Sequence, residues 1–222
     1  MSSSAQAMTT TLAEEGVVAS YDPAIDAPRA HHPVYDYDSG PPVDRGKFAI
    51  WLFLATEVMF FTGLIGTYIV IRMGAPEWPD PMQRLAVNIT AFNTFVLITS
   101  SWFMVRSIQA AQHDDQRGVV KWLALTILGG AFFVGVQVYE YLELYHHGDW
   151  PNKDLFWSTF YAMTGFHGIH VIAGVVWLIC LLPAAIKGKY TSRNYIKLEL
   201  GGLYWHFVDL VWVLLFTIVY LM

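Results

Sequence analysis

"LFWSTFYAMTGFHGIHVIAGVVWLICLL", residues 155–182, runs for 28 positions without a Lys, Arg, Asp or Glu. A helix that crosses a bilayer needs about 20 mostly apolar residues, so this run by itself predicts a membrane span. His167 and His170 stand three apart in its middle, on neighbouring parts of one helical face. Three readings are open for them: a metal site, a proton path, or polar contacts that join helices.

The rest of the chain has the same character. Of its 222 residues 55% are hydrophobic and only 14% charged, against about 25% charged in a soluble domain. Four further runs are long enough to cross a membrane. The five predicted spans are 48–71, 85–105, 119–142, 155–182 and 198–222, and Pro76, Pro79, Pro81, Pro151 and Pro183 fall in the connections between them. Trp51, Trp78, Trp102, Trp122, Trp150, Trp157 and Trp177 lie near predicted span ends, as an aromatic belt does, while Trp205 and Trp212 lie deeper. The expected fold is all-α: a five-helix transmembrane bundle over residues 46–222, with connections too short for a second domain. Small residues mark expected tight contacts at Gly63 and Thr67, Gly129 and Gly130, Thr164 and Gly168, and Gly201 and Gly202.

Residues 1–45 form a polar, mobile tail on this reading. The stretch up to Lys47 holds five of the ten prolines and seven of the 18 acids. It lacks the apolar core of a signal peptide, and His31 and His32 within it have no third ligand nearby. The formal charge of −5 does not point to nucleic acid. With Cys180 the only cysteine, no internal disulfide and no site of paired cysteines is available. Basic residues set the expected orientation. Arg45, Lys47, Arg106, Arg117, Lys121, Lys187, Lys189, Arg193 and Lys197 fall on one side, and Arg72, Arg84 and Lys153 on the other. This places the N-terminus in the cytoplasm and the C-terminus outside, in a bacterial inner membrane more readily than a mitochondrial one.

Ionisable side chains at mid-bilayer need a reason, because each costs roughly 2.5–3.5 kcal/mol on insertion scales. Glu57, His167, His170, His206 and Asp209 come from three spans and share one depth band. They are expected to point into the bundle, into a cleft or at a partner. On the last span, Glu199, Gly202, His206, Val213 and Thr217 form one stripe with Asp209 at its edge, and Trp205 and Trp212 face away from it. On the third, Gly130, Gln137, Glu140 and Tyr141 share a face, and the second adds Asn93 and Ser100. Such a seam joins helices by hydrogen bonds. Glu57 also suits a proton-related role, since a buried carboxyl favours its neutral form and exchanges protons where water reaches it. The metal reading is weak: the metalloprotease pattern sets its histidines four apart with a Glu between, whereas Gly168 and Ile169 separate these two.

Several motifs in order carry a family resemblance: "FLATEVMFFTGLIGTY", "FNTFVLITSS", "GVQVYEYLEL", "FYAMTGFHGIHVIAG" and "YWHFVDLVWVLLFTIVYL". Over residues 46–222 the chain resembles subunit III of the haem–copper respiratory oxidases, in its short five-helix bacterial form. The resemblance implies an accessory, non-redox subunit of an enzyme that reduces oxygen and pumps protons. It implies haem and copper in partner subunits I and II and no cofactor in this chain. It further implies further small subunits or an associated respiratory complex as neighbours, and bound phospholipid in a V-shaped cleft between two helix groups. Glu57 matches the family's buried, carbodiimide-reactive carboxylate. Glu140, His167, His170, Trp205, His206 and Asp209 match positions expected on the cleft wall or in interhelix hydrogen bonds, with none of them a metal ligand. The acidic tail is outside the family pattern, and contact with another subunit or complex is expected of it. The competing readings are subunit III of a quinol oxidase or a nitric-oxide-reductase-associated relative, an independent proton channel or transporter, and a membrane metalloenzyme. A transporter would show internal repeats and broken helices, and neither is evident here.

Overall fold

The computed structural model describes residues 44–222; the tail expected over 1–45, with His31 and His32, lies outside them except for its last two positions. Those residues are helical, with no strand among them. The elements are α1 (Arg45–Gly74), a single turn α2 (Pro81–Arg84), α3 (Val87–Gln112), α4 (Gln116–His146), α5 (Leu155–Ile186) and α6 (Ile196–Phe216), which closes in a π-helical turn, Thr217–Leu221. Five of these helices are long and apolar enough to cross a membrane, so the chain is a multi-pass membrane protein.

Asp side chains start most of the helices. Asp44 accepts from the amides of Gly46 and Lys47, Asp115 from Gly118 and Asp154 from Trp157, at 2.8–3.1 Å. Each satisfies amides that have no carbonyl within the helix, and its negative charge favours the helix N-terminus. The helices run longer than the spans read from hydropathy, because polar interfacial turns remain helical beyond the hydrocarbon core. The clearest correction is Pro183, which lies inside α5 and not in a connection. It sits in the last turn, where the one hydrogen bond that its ring removes is least disruptive. The turn α2 was not anticipated; Asp80 caps it and Pro81 occupies its first position.

Helices α3, α4, α5 and α6 pack in a ring, with α3 on α4 the most extensive pairing, and α1 leans on α5 and α6. The spans thus form one connected set. The core is aromatic: Trp157, Trp205, Trp212, Phe133, Phe160 and Tyr220 are all almost fully buried. Trp205 is clamped hardest. A Cβ on Gly130 would stand 2.4 Å from its ring, and one on Gly174 3.0 Å from it. Its indole N–H donates to Ser100 Oγ at 3.1 Å, and that of Trp212 donates to Thr94 Oγ1 at 2.9 Å. Two expectations fail here. Gly63 has nothing within 4 Å of its Cβ position, because it lies on the face of α1 turned away from the bundle. Trp157 is core and not belt, enclosed by Phe156, Phe160 and Tyr161.

Contacts between connections confirm the up-and-down path. Arg84 of the first pairs with Asp154 of the third at 3.3 Å. Between the second and fourth, the Asp114 carboxylate accepts from the Ser192 amide and hydroxyl at 2.8 and 2.9 Å. Those two bonds hold the Asp114 carboxyl below its ordinary 3.8. Asp114 adopts φ 57°, a left-handed conformation that Asp tolerates better than most residues.

Candidate functional site

The depth band read from the sequence resolves into three separate environments. The first joins α1 to α5. Glu57 Oε2 lies 2.9 Å from His170 Nε2, with both side chains mostly shielded from the surroundings. His170 Nδ1 lies 2.7 Å from the Phe166 carbonyl. A carbonyl only accepts, so Nδ1 carries a hydrogen. The short contact on the other side therefore holds one proton, either as a neutral carboxyl donating to Nε2 or as a carboxylate accepting from imidazolium. In both forms the pair has no net charge, which lowers the penalty of placing it in hydrocarbon. Phe60 and Phe61 pack on the imidazole, with centroids 6.1 and 5.1 Å from it. Tyr204 of α6 donates to the His170 carbonyl at 3.1 Å.

His167 departs from the hydrogen-bonding role expected of it. It is fully buried, and neither ring nitrogen has a partner among the described residues. It stacks on Trp212 at 4.9 Å and meets the edge of Phe133 at 5.9 Å. A three-residue step turns a helix by about 300°, which leaves the two histidines about 60° apart. That offset sends His170 to the α1 interface and His167 into the core.

The second environment joins α4 to its neighbours. Gln137 Nε2 donates to the Thr164 carbonyl at 2.8 Å, and Gly168 lets it approach, since a Cβ there would stand 2.8 Å from the amide. The Thr164 hydroxyl donates to the Phe160 carbonyl at 2.7 Å, so the Tyr141 hydroxyl, 2.7 Å away, is the donor to Thr164 Oγ1. Nearer the C-terminal end of α4, Glu140 accepts from Thr90 at 3.3 Å and from Tyr220 at 3.2 Å. Glu140 also borders a cavity of about 540 Å³ with Glu143, Asp149, Arg84 and Lys153.

The third environment joins α3 to α6. Ser101 Oγ lies 2.6 Å from His206 Nδ1, and Asp209 lies one turn further along, also within reach of Ser101. His206 and Asp209 do not meet Glu57, and Trp205 faces the opposite side of α6, in the core. Ser101, Thr90 and Tyr220 were not singled out from the sequence. Thr94 and Ser101 are seven apart beside the Asn93–Ser100 pair, so a second polar stripe on α3 was available as a signal. Among the described residues no three His, Cys, Asp or Glu side chains converge as ligands for a metal ion.

Fold and site together define a multi-pass membrane subunit whose mid-bilayer ionisable groups are held by neighbouring helices. Comparison with known proteins sharpens this. The model of the family described as cytochrome c oxidase subunit III matches residues 34–222. A cytochrome c oxidase subunit 3 of Thermostichus vulcanus is 34% identical over 210 residues, covering 94% of this chain and 98% of that protein. A probable cytochrome c oxidase subunit 3 of Nocardia farcinica is 39% identical over 172 residues, covering 77% and 84%. A quinol oxidase subunit 3 of Bacillus subtilis is 34% identical over 172 residues, covering 78% and 84%. The chain belongs to the cytochrome c oxidase subunit III family and is a subunit III of a terminal oxidase.

Proposed function

We propose that the chain is the accessory, non-redox subunit of a respiratory terminal oxidase that couples oxygen reduction to proton pumping. It stabilises the catalytic subunit I, beside subunit II, holds phospholipid against the bundle and supports proton uptake through Glu57. It sits in a bacterial inner membrane with its N-terminus in the cytoplasm. Haem and copper reside in the partner subunits.

The observation that carries this reading is the Glu57–His170 contact. With Nδ1 committed to the Phe166 carbonyl, one proton is shared across 2.9 Å between two basic atoms. Shared in this way, the proton leaves the pair without net charge, so the bundle holds no unpaired ion at that depth. Such a unit accepts and returns a proton when water or a neighbouring chain reaches it. That relatives are named for both cytochrome c and quinol oxidases supports a subunit that does not itself handle the reductant. The cation-rich connections on one side of the bundle support the proposed orientation. Phospholipid is a natural cover for α1, which leaves Trp51, Met59, Val70 and Met73 exposed.

The test is purification of the complex through this chain. The complex should show haem and copper spectra, and the chain stripped from it should show neither. Glu57→Gln should preserve assembly while altering proton uptake or shortening the turnover lifetime. Unchanged uptake and lifetime would reduce Glu57 to a structural role, and proton flux by the isolated chain in liposomes would favour a channel instead.

A further inference from the structure

Helices α3 and α4 leave a groove of about 610 Å³ between them on their exposed side. On α3 it runs from Phe92 to Phe103, and on α4 it is walled by Leu125, Leu128 and Phe132. Phe92, Phe95 and Leu128 are each more than half exposed. Thr99, the polar side chain in its wall, donates its hydroxyl to the Phe95 carbonyl at 2.8 Å. The groove therefore asks only apolar surface of an occupant. Its end at Phe103 is different. The Phe103 ring lies 5.7 Å from that of Trp122, and two cations lie over the Trp122 ring. The Arg106 guanidinium carbon is 5.6 Å from its centroid and Lys121 Nζ is 5.1 Å from it. Cation–π attraction holds both at one spot. Neither pairs with a carboxylate among the described residues. Arg106 donates to Gln109 at 3.1 Å, which leaves most of its donors for another partner.

Length and charge together say what fits. From Phe92 to Phe103 the groove follows α3 for roughly 17 Å at 1.5 Å per residue. That is close to the depth of one leaflet, about 15 Å, or half of the hydrocarbon core. A membrane-spanning helix of a neighbour would need a face about twice as long. An apolar slot one leaflet deep, ending at two cations where headgroups lie, matches a phospholipid. A zwitterionic headgroup would bring its own ammonium up to those cations, whereas an anionic one brings only negative charge. A phosphodiester suits both residues, since guanidinium binds it through paired N–H groups and ammonium as a point charge. We propose that this groove binds one anionic phospholipid, with an acyl chain along 92–103 and its phosphate at Arg106 and Lys121. The site is separate from the exposed face of α1. It needs a membrane-spanning chain and does not depend on the oxidase role.

The experiment reconstitutes the complex purified through the full chain into phosphatidylethanolamine vesicles. These carry a limiting amount of a phosphatidylglycerol probe with a photoreactive diazirine on its acyl chain. After irradiation the labelled peptides are identified by mass spectrometry, and a phosphatidylcholine probe with the same acyl chain is compared. Peptides covering 92–103 and 125–132 should be labelled several-fold more by the phosphatidylglycerol probe. Arg106→Gln should lower that labelling by about fivefold, the factor that one cation near a membrane surface contributes. Adding Lys121→Gln should lower it further, while labelling of 45–74 stays unchanged. Lys121→Arg, which keeps the charge, should retain the labelling. Equal labelling by the two probes, equal labelling of the parent and the doubly substituted chain, or a groove without adducts would each overturn the proposal. A parallel fall over 45–74 would mean a general loss of anionic lipid and would overturn it too. If the doubly substituted chain fails to assemble, the comparison of the two probes on the parent decides. The oxidase reading is tested separately, by the haem content of the same purified complex.

Discussion

At Glu57 the physics turns on one hydrogen. Glu57→Gln keeps the shape and can still donate to His170 Nε2, so the fold should persist while the shared proton is lost. His170→Ala leaves the carboxyl without its partner and should destabilise the chain by about 1–3 kcal/mol, measured as unfolding in mixed detergent and SDS. Equal stability of His170→Ala and the parent would mean that the contact adds nothing to folding. His167 makes the opposite case. Its two unpaired nitrogens lie in an aromatic core, and an unsatisfied buried polar group costs about 1–3 kcal/mol. His167→Phe should therefore be at least as stable as the parent in the same assay. A loss of more than about 2 kcal/mol would show that the imidazole is satisfied by an internal water. Both residues stand out in the sequence as histidines in an apolar run. Their different fates were not legible there, because they depend on which neighbouring helix fills a 60° sector of α5.

Among the helices, the α3–α4 turn gives a pH-sensitive prediction. The folded Asp114 carboxyl titrates below its ordinary 3.8, so its hold on Ser192 is present above the unfolded value. The hold fades as pH falls through the lower, folded value, within the region below about pH 4. Amide exchange at Ser192 should rise as that region is entered. In Asp114→Asn it should already be faster at neutral pH and should lose that acid step; an unchanged profile would refute the lock. The α4–α6 crossing gives another. Gly130→Ala drives a methyl into the Trp205 ring, and overpacking of this kind costs about 1–3 kcal/mol. The same change at Gly63 meets open space and should be neutral when the two variants are compared by thermal unfolding. From sequence the two glycines look alike, both in small-residue pairs of apolar helices. Only the faces that the helices turn to one another separate them.

For the whole molecule, the loosest element is α1. Its buried residues are few, Ile50, Leu54, Phe61 and Tyr68, and polar contacts tie it down at three levels. Lys47 pairs with Glu199 at 2.8 Å near one end, Glu57 with His170 in the middle, and Arg72 reaches the Met222 carbonyl at the other. Loss of the middle contact should loosen α1 before the ring of α3–α6. In His170→Ala, hydrogen exchange along 45–74 should rise while 87–112 keeps its protection. Exchange rising equally in both segments would show that the five spans open as one unit. This architecture was largely legible: spans, order and alternation follow from hydropathy and from the charges in the connections. The partners of each polar residue were not.

The sequence by itself determined that five helices cross the membrane, which residues interrupt their apolar runs, and which family the ordered motifs resemble. Those properties are local, since a span is set by its length and polarity and a motif by its order along the chain. Tertiary structure alone decided that Glu57 meets His170, that His167 is left without a hydrogen bond, and that Ser101, His206 and Asp209 share a separate groove. Each of these depends on how helices rotate about their axes when they pack. A rotation of a few tens of degrees changes a side chain's neighbours while its depth in the bilayer and its place in the sequence stay the same.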